Sequence, residues 1–298
     1  MNLLLTGASG FLGKIISQSL AGHDIQTLGR DDNSTYKCDL AKGIPAFDKT
    51  FNIVIHSAGK AHSVPATEEE KLDFYNVNVT GTKNLLEGLE NAPALPGSFV
   101  FISSVAVYGL ETGNNVNEDT PLLAKDPYGD SKIQAEILIH DWCLRNNVTC
   151  TVLRLPLTAG PNPPGNLEAM IKGIKSGYYF NISGGKARKS IVLAQDVSAI
   201  IPVAARVGGV YNLTDGYHPS FKELSAVIAK QLNKKPPLNL PGYLAKTIAF
   251  AGNIIGDKAP LNSNKLKKIT SDLTFDDTKA RNLLGWKSAK VLEAFRIS

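Results

Sequence analysis

The chain has 298 residues, 43% hydrophobic and 20% charged, which suits one large α/β domain or a domain with a lobe and excludes a disordered or fibrous protein. The net charge of +5 comes without a basic run or an aromatic–basic alternation, so it suits an anionic small substrate and argues against nucleic acid. Cys38, Cys143 and Cys150 lack metal-like or redox spacing, and a reducing cytoplasm is the simplest account of them.

Met1 leads directly into an apolar strand over residues 2–5, so no secretory signal is expected. The run Thr6-Gly7-Ala8-Ser9-Gly10-Phe11-Leu12-Gly13 follows, then a helical pattern with Ile15, Ile16, Ser19 and Leu20 on one side. Strand, glycine turn and helix in that order form a site for a dinucleotide pyrophosphate. Gly7 lets the chain turn, Gly10 lets backbone approach phosphate, and Gly13 lets helix and strand pack closely, with the helix N-terminus facing the anion.

Further strands are expected over residues 25–28, 52–56, 99–103 and 149–155. The clearest intervening helix runs over 131–145, with Ile133, Ile137, His140 and Leu144 on one face. This alternation gives a parallel sheet covered by helices on both sides, with ligands beyond the carboxyl ends of its strands. From Pro156 the character changes: prolines 161, 163 and 164 precede a short helix over 167–176. Residues 211–213 read as a strand returning to the sheet, 221–232 as a helix, 234–241 as a loop, and 276–285 as a terminal helix ending at Gly285-Trp286. The most apolar stretch, 243–255, contains Lys246 and is too short to span a bilayer. It is expected to pack on the lobe or to form a dimer contact, with a membrane-surface association as the alternative. The expected domains are a dinucleotide-binding unit over 1–155, to which 189–215 return, and a substrate lobe from 156–188 and 216–298.

Two segments carry chemistry. Tyr128 and Lys132 stand four apart at the start of a helix, so both side chains share one face. An ammonium near a phenol favours phenolate, which would lower the tyrosine toward operating pH for proton transfer during hydride movement. Upstream, Ser103 and Ser104 end an apolar strand, where a hydroxyl can hydrogen-bond a substrate oxygen. The five histidines lack metal-ligand spacing and no metal is expected; His56 and His62, which flank the groove segment, are expected to pack or sit in a solvated loop.

Together these residues resemble the extended short-chain dehydrogenase/reductases, also called the NAD-dependent epimerase/dehydratase family. The resemblance covers the glycine turn, Asp39-Leu40, His56-Ser57-Ala58-Gly59, Asn78-Val79-Thr80-Gly81-Thr82, the serine strand, and Tyr128 with Lys132. It implies a Rossmann-type doubly wound α/β sheet with a smaller C-terminal lobe. It makes Ser104 the catalytic hydroxyl, Tyr128 the general acid/base, and Lys132 the residue that holds the nicotinamide ribose and tunes Tyr128. Gly7, Ser9, Gly10, Phe11, Leu12 and Gly13 would then meet the pyrophosphate, Asp39 and Leu40 the adenine, and Ala58, Gly59 and Asn78 the cofactor groove.

Later segments resemble the nucleotide-sugar enzymes of bacterial surface-polysaccharide pathways: Arg154-Leu155-Pro156, Pro164-Gly165-Asn166, residues 188–192, and the ending 279–286. That likeness directs Asn166 and the basic pair Arg188 and Lys189 at the substrate's diphosphate, with Lys189 where an arginine is usual. It also implies a homodimer through helices such as the one carrying Tyr128.

Two departures narrow the reaction. Water-eliminating members carry an acid pair after the catalytic hydroxyl; Val105 and Ala106 occupy those positions and cannot transfer a proton. At the end of the second strand, Leu28-Gly29-Arg30 replaces the usual ribose-binding acid, with Asp31 one step later, which favours NADP while leaving NAD possible. NADP points to net reduction of a 4-keto nucleotide sugar, with 4-epimerisation as the alternative. A nucleotide-binding sensor or scaffold is the non-enzymatic alternative, and the presence of both Tyr128 and Lys132 disfavours it.

Overall fold

The structure is a computed structural model and describes residues 1–61, 63–256, 259 and 261–297; His62 lies outside the described residues. In chain order come β1 (Asn2–Thr6), α1 (Phe11–Ser19), β2 (Asp24–Gly29), β3 (Tyr36–Lys37), β4 (Ile53–His56) and α2 (Glu68–Tyr75). A π-helical turn (Asn76–Thr80), α3 (Gly81–Glu90), β5 (Ser98–Ser104), a 3-10 turn (Val105–Tyr108), β6 (Gly113–Val116), α4 (Pro127–Asn146) and β7 (Thr149–Leu155) follow. The remainder is β8 (Leu157–Ala159), α5 (Gly165–Lys175), β9 (Asn181–Ile182), β10 (Ile191–Leu193), α6 (Ala194–Val207), β11 (Gly209–Asn212), α7 (Phe221–Gln231), β12 (Asn239–Leu240), α8 (Gly242–Ile255), α9 (Ser263–Thr270), β13 (Leu273–Phe275), α10 (Thr278–Leu284) and α11 (Val291–Ala294).

The central sheet has seven parallel strands in the order β11-β7-β5-β4-β1-β2-β3. Its inner strands β1, β4 and β5 carry apolar residues on both faces because both faces are covered. Leu3, Leu5, Ile53, Ile55, Val100, Ile102, Leu153 and Leu155 point to a core shared with α1, α6 and α10. The alternate residues Leu4, Val54, Phe99, Phe101 and Val152 point to a second core with α3 and α4. This is the Rossmann-type doubly wound fold. A third core joins Leu167, Met170 and Ile174 of α5 to Ile191, Leu224, Ile228, Val291 and Phe295, away from the main sheet.

One periodicity is out of phase with expectation. The buried face of α4 carries Lys132, Ala135, Glu136, Ile139, Trp142 and Cys143, whereas Ile137 and Leu144 are 54% and 75% exposed. Lys132 and Glu136 occupy inward positions for reasons other than hydrophobicity, beside Ala135, Ile139, Trp142 and Cys143, and of the expected face Ile133 packs against the Val107–Tyr108 core.

Glu136 explains that placement. Its carboxylate accepts hydrogen bonds from Arg154 Nε at 3.2 Å and Nη2 at 2.7 Å, and from the Ser103 hydroxyl. Arg154 Nη1 donates to the Tyr108 hydroxyl at 3.1 Å, which donates to Asn212 Oδ1 at 2.8 Å. One buried network therefore ties α4 to β5, β7, the 3-10 turn and β11. Removing one partner of such a pair leaves an uncompensated charge. Arg154→Met is expected to cost about 3–5 kcal/mol in urea unfolding, and the double change Glu136→Leu/Arg154→Met to recover most of that loss.

Candidate active site

The glycine turn closes on itself. Gly7 sits at φ +73°, and a side chain there would stand 2.7 Å from Ala58 N. A Cβ on Gly13 would lie 2.0 Å from Gly7 O, so α1 can pack on the turn only without one. The N-cap of α1 is Gly10, with no side-chain cap and no acidic residue in the first turn, which leaves the helix's N–H groups and positive end for an anion. Ser9 and Gly10 are exposed there, and Phe11 and Leu12 are half-buried.

The next stations follow along the carboxyl ends of the strands. A side chain on Gly59 would meet Asn78 Oδ1 at 3.0 Å and Lys132 Nζ at 3.2 Å, so this backbone passes directly beside both. Asn78 lies in the π-helical turn, a distortion that re-aims its side chain. Its amide donates to Ser131 Oγ at 2.9 Å and Lys60 O at 3.1 Å and accepts from Lys60 N at 2.7 Å. Leu40 packs beneath Gly81, and its carbonyl accepts from Asn84 Nδ2 at 2.7 Å, while Asp39 turns its own loop by accepting from Ala41 N. Arg30 is exposed at the end of β2, with no side-chain hydrogen bond or ion pair to the described residues.

Helix α4 starts where Asp126 accepts from Gly129 N at 3.0 Å and Pro127 presets the first turn, placing Tyr128 in that turn. A Cβ on Gly129 would stand 2.8 Å from Ala106 O, so the helix start sits hard against the 3-10 turn. That contact sets Tyr128 in hydrogen-bonding reach of Ser104, whose Oγ also accepts from Ala106 N at 3.1 Å. The two serines separate here: Ser103 points inward to Glu136, and Ser104 points to Tyr128.

The electrostatics differ from the expectation that Lys132 lowers the tyrosine. Burial pushes the Tyr128 phenol up, opposed by the Ser104 hydrogen bond and reinforced by Asp126. Lys132 Nζ instead donates to Ile102 O at 3.0 Å, 4.5 Å from the Phe101 ring centroid, and burial brings its ammonium down to about 8. The lysine directs its charge at the strand end and the ring below it, and burial keeps the Tyr128 phenol above its ordinary value.

The structure adds a network that the sequence did not reveal. Thr82 Oγ1 donates to Asn78 O at 2.6 Å, so His56 Nε2–H donates to Thr82 Oγ1 at 3.0 Å. Thr6 Oγ1 then donates to His56 Nδ1 at 2.7 Å and accepts from Ala58 N at 3.0 Å. His56 thus packs, as expected, and also locks the glycine turn to the Ala58 loop and the π-helical turn. The hint in the sequence was Thr6 and His56 ending two apolar strands side by side.

The substrate candidates lie apart from this track. Asn166 is exposed in the first turn of α5. Arg188 and Lys189 alternate in an extended segment: Arg188 Nη1 donates to His218 O at 2.9 Å, with its guanidinium over the Tyr217 ring and 4.0 Å from Glu223. Lys189 is half-buried, its ammonium pulled down by burial against the pull of Asp272 and Glu111. No described contact joins these three to Tyr128.

The glycine cradle, the uncapped helix end and the Gly59–Asn78–Lys132 approach fit a nicotinamide dinucleotide. Fold and site together define a nicotinamide-dependent enzyme of the short-chain dehydrogenase type. Residues 3–214 match the NAD dependent epimerase/dehydratase family, and the chain belongs to that family as an NAD(P)-dependent enzyme. The N-acetyl-alpha-D-glucosaminyl-diphospho-ditrans,octacis-undecaprenol 4-epimerase of Escherichia coli O157:H7 is 29% identical over 305 residues, 94% of this chain and 89% of the relative. The UDP-glucose 4-epimerase of Vibrio cholerae is 25% identical over 98% of this chain and 92% of its own. The UDP-glucose 4-epimerase of Thermotoga maritima, solved with UDP-glucose, superimposes with a TM-score of 0.73 at 19% identity, covering 98% of this chain and 96% of that one.

His56 yields a pH prediction. Burial and the Lys132 ammonium hold its folded value down to about 3, against an ordinary histidine value of 6.5, so the unfolded chain takes up a proton that the folded one refuses. The stability is whole above about pH 6.5 and falls as pH drops toward 3, by roughly 1.4 kcal/mol per pH unit where that single proton dominates. Thermal melts of the wild type against His56→Gln between pH 7 and 5 should show a shallower pH dependence in the variant.

Proposed function

We propose that the protein is a C4 epimerase of a hexose carried on a diphosphate, with a nucleotide as the expected carrier. The carrying observation is the pairing of Ser104 and Tyr128 at the strand end with Val105 and Ala106 beside them. That pair can move a proton at one oxygen but holds no acid for eliminating water. The 4-epimerase names of relatives aligned over nearly the whole chain support the same reading.

A bound nicotinamide would supply the hydride acceptor and donor for C4. Tyr128 exchanges the proton of the C4 oxygen and Ser104 donates a hydrogen bond to that oxygen. Lys132, beside the Gly59 loop, would hold the ribose side of the cofactor. The core formed by α5, α7 and α11, which also takes in Ile191 and Leu193 of β10, packs the substrate lobe of residues 156–188 and 216–298, and Asn166 and Lys189 take the diphosphate. Arg188 is already engaged by His218, Tyr217 and Glu223 and shapes that lobe. The outward Ile137 and Leu144 of α4 suit a homodimer interface, and the three unpaired cysteines suit the cytoplasm.

A second reading rests on Gly29 and Arg30. A carboxylate-free strand end with an exposed guanidinium suits the 2′-phosphate of NADP, which favours net reduction of a 4-keto sugar.

The cofactor content of freshly purified protein separates the two readings. Retained NAD⁺, with C4 inversion of a nucleotide hexose by NMR and no net change in nicotinamide absorbance, is the expected outcome. An empty protein that consumes NADPH stoichiometrically would replace it with the reductase. In either case Tyr128→Phe should lower kcat by about 10²–10⁴-fold with cofactor affinity retained.

A further inference from the structure

Helix α8 is built inside out. Its inward face consists of Ala245, Ala249 and Gly252, and a Cβ on Gly252 would stand 1.9 Å from Leu261 O, so the helix lies close on the α9 approach through small residues. The large apolar side chains point the other way: Tyr243 is 70% exposed, Phe250 74% and Ile254 87%. Tyr243, Phe250 and Ile254 recur at i, i+7 and i+11, which places them on one stripe opposite the packed face. Leu244, Ile248 and Ile255 flank that stripe and are exposed as well.

The charge of the segment that carries the stripe is one-sided. Residues 233–271 contain seven lysines and a single aspartate, and neither α8 nor α9 carries an acidic residue. Lys246 lies on α8, and Lys267 and Lys268 are exposed in the last turn of α9, where Lys268 pairs with Glu111 at 3.2 Å. A second copy would bring the same lysines against these, whereas an anionic lipid surface complements them and accepts the apolar stripe. At 14 residues α8 is about 21 Å long, short of the ~30 Å hydrocarbon thickness, so it suits lying in the interface rather than crossing it. A tyrosine at its start and Lys246 beside the stripe are side chains that favour the headgroup level.

We infer that α8, flanked by the lysines of α9, docks the protein peripherally on an anionic bilayer. This does not depend on the C4 chemistry. The full-length protein is sedimented with phosphatidylglycerol–phosphatidylcholine vesicles and with pure phosphatidylcholine vesicles. It is expected to pellet with the anionic vesicles, more weakly at high salt, and poorly with the neutral ones. Phe250→Ser/Ile254→Ser should lower partition by about tenfold or more with an unchanged melting curve, because both side chains are already exposed. Lys246→Gln/Lys267→Gln should weaken binding to the anionic vesicles alone. Wild-type protein that stays in the supernatant with anionic vesicles would overturn the inference. So would a lipid-free dimer, seen by light scattering, that Phe250→Ser/Ile254→Ser dissolves, since the stripe would then belong to a second copy.

Discussion

The buried pair of Glu136 and Arg154 is the interaction on which the site depends. It crosses from α4 to β7 with two hydrogen bonds, and it reaches Ser103 of β5 and, through Tyr108, Asn212 of β11. Helix α4 carries Tyr128 and Lys132, β5 carries Ser104, and the 3-10 turn carries the residues between them. Two charges removed from water are held where they are by hydrogen bonds on every side. The pair holds the helix against the strand end, where Tyr128 comes within hydrogen-bonding reach of Ser104.

Around the glycine turn the same constraint is met with neutral groups. His56 is too deeply buried to carry charge and lies near the Lys132 ammonium, so it serves as a donor at one nitrogen and an acceptor at the other. Thr6, His56, Thr82 and Asn78 form a directed chain, each hydroxyl or ring nitrogen using its proton once. This chain ties the glycine turn, the Ala58 loop and the π-helical turn to one another. Lys132 is positioned by a carbonyl and an aromatic ring rather than by its tyrosine, and it is burial that pushes the Tyr128 phenol up.

The C-terminal part answers to different physics. Its third core is a separate packing of short elements, joined to the main sheet through chain crossings at β8, β10 and β11. Helix α8 contributes its alanines to this part and offers its large side chains outward, an arrangement with a use only if another surface covers them.

Much of this was legible in the residues. The strands over 2–6, 98–104 and 149–155 are apolar on both faces, the glycines stand where no Cβ fits, and the Tyr128–Lys132 spacing forces one helix face. These are local properties: backbone conformation, strand alternation and helical pitch act within a few residues. What only the tertiary structure decided is which side of α4 is buried, which of Ser103 and Ser104 turns to Glu136 and which to Tyr128, where Lys132 directs its charge, and that Arg188 is already engaged. Each depends on partners far away in sequence, such as Arg154 for Glu136, Ile102 for Lys132 and His218 for Arg188, and periodicity carries no information about those encounters.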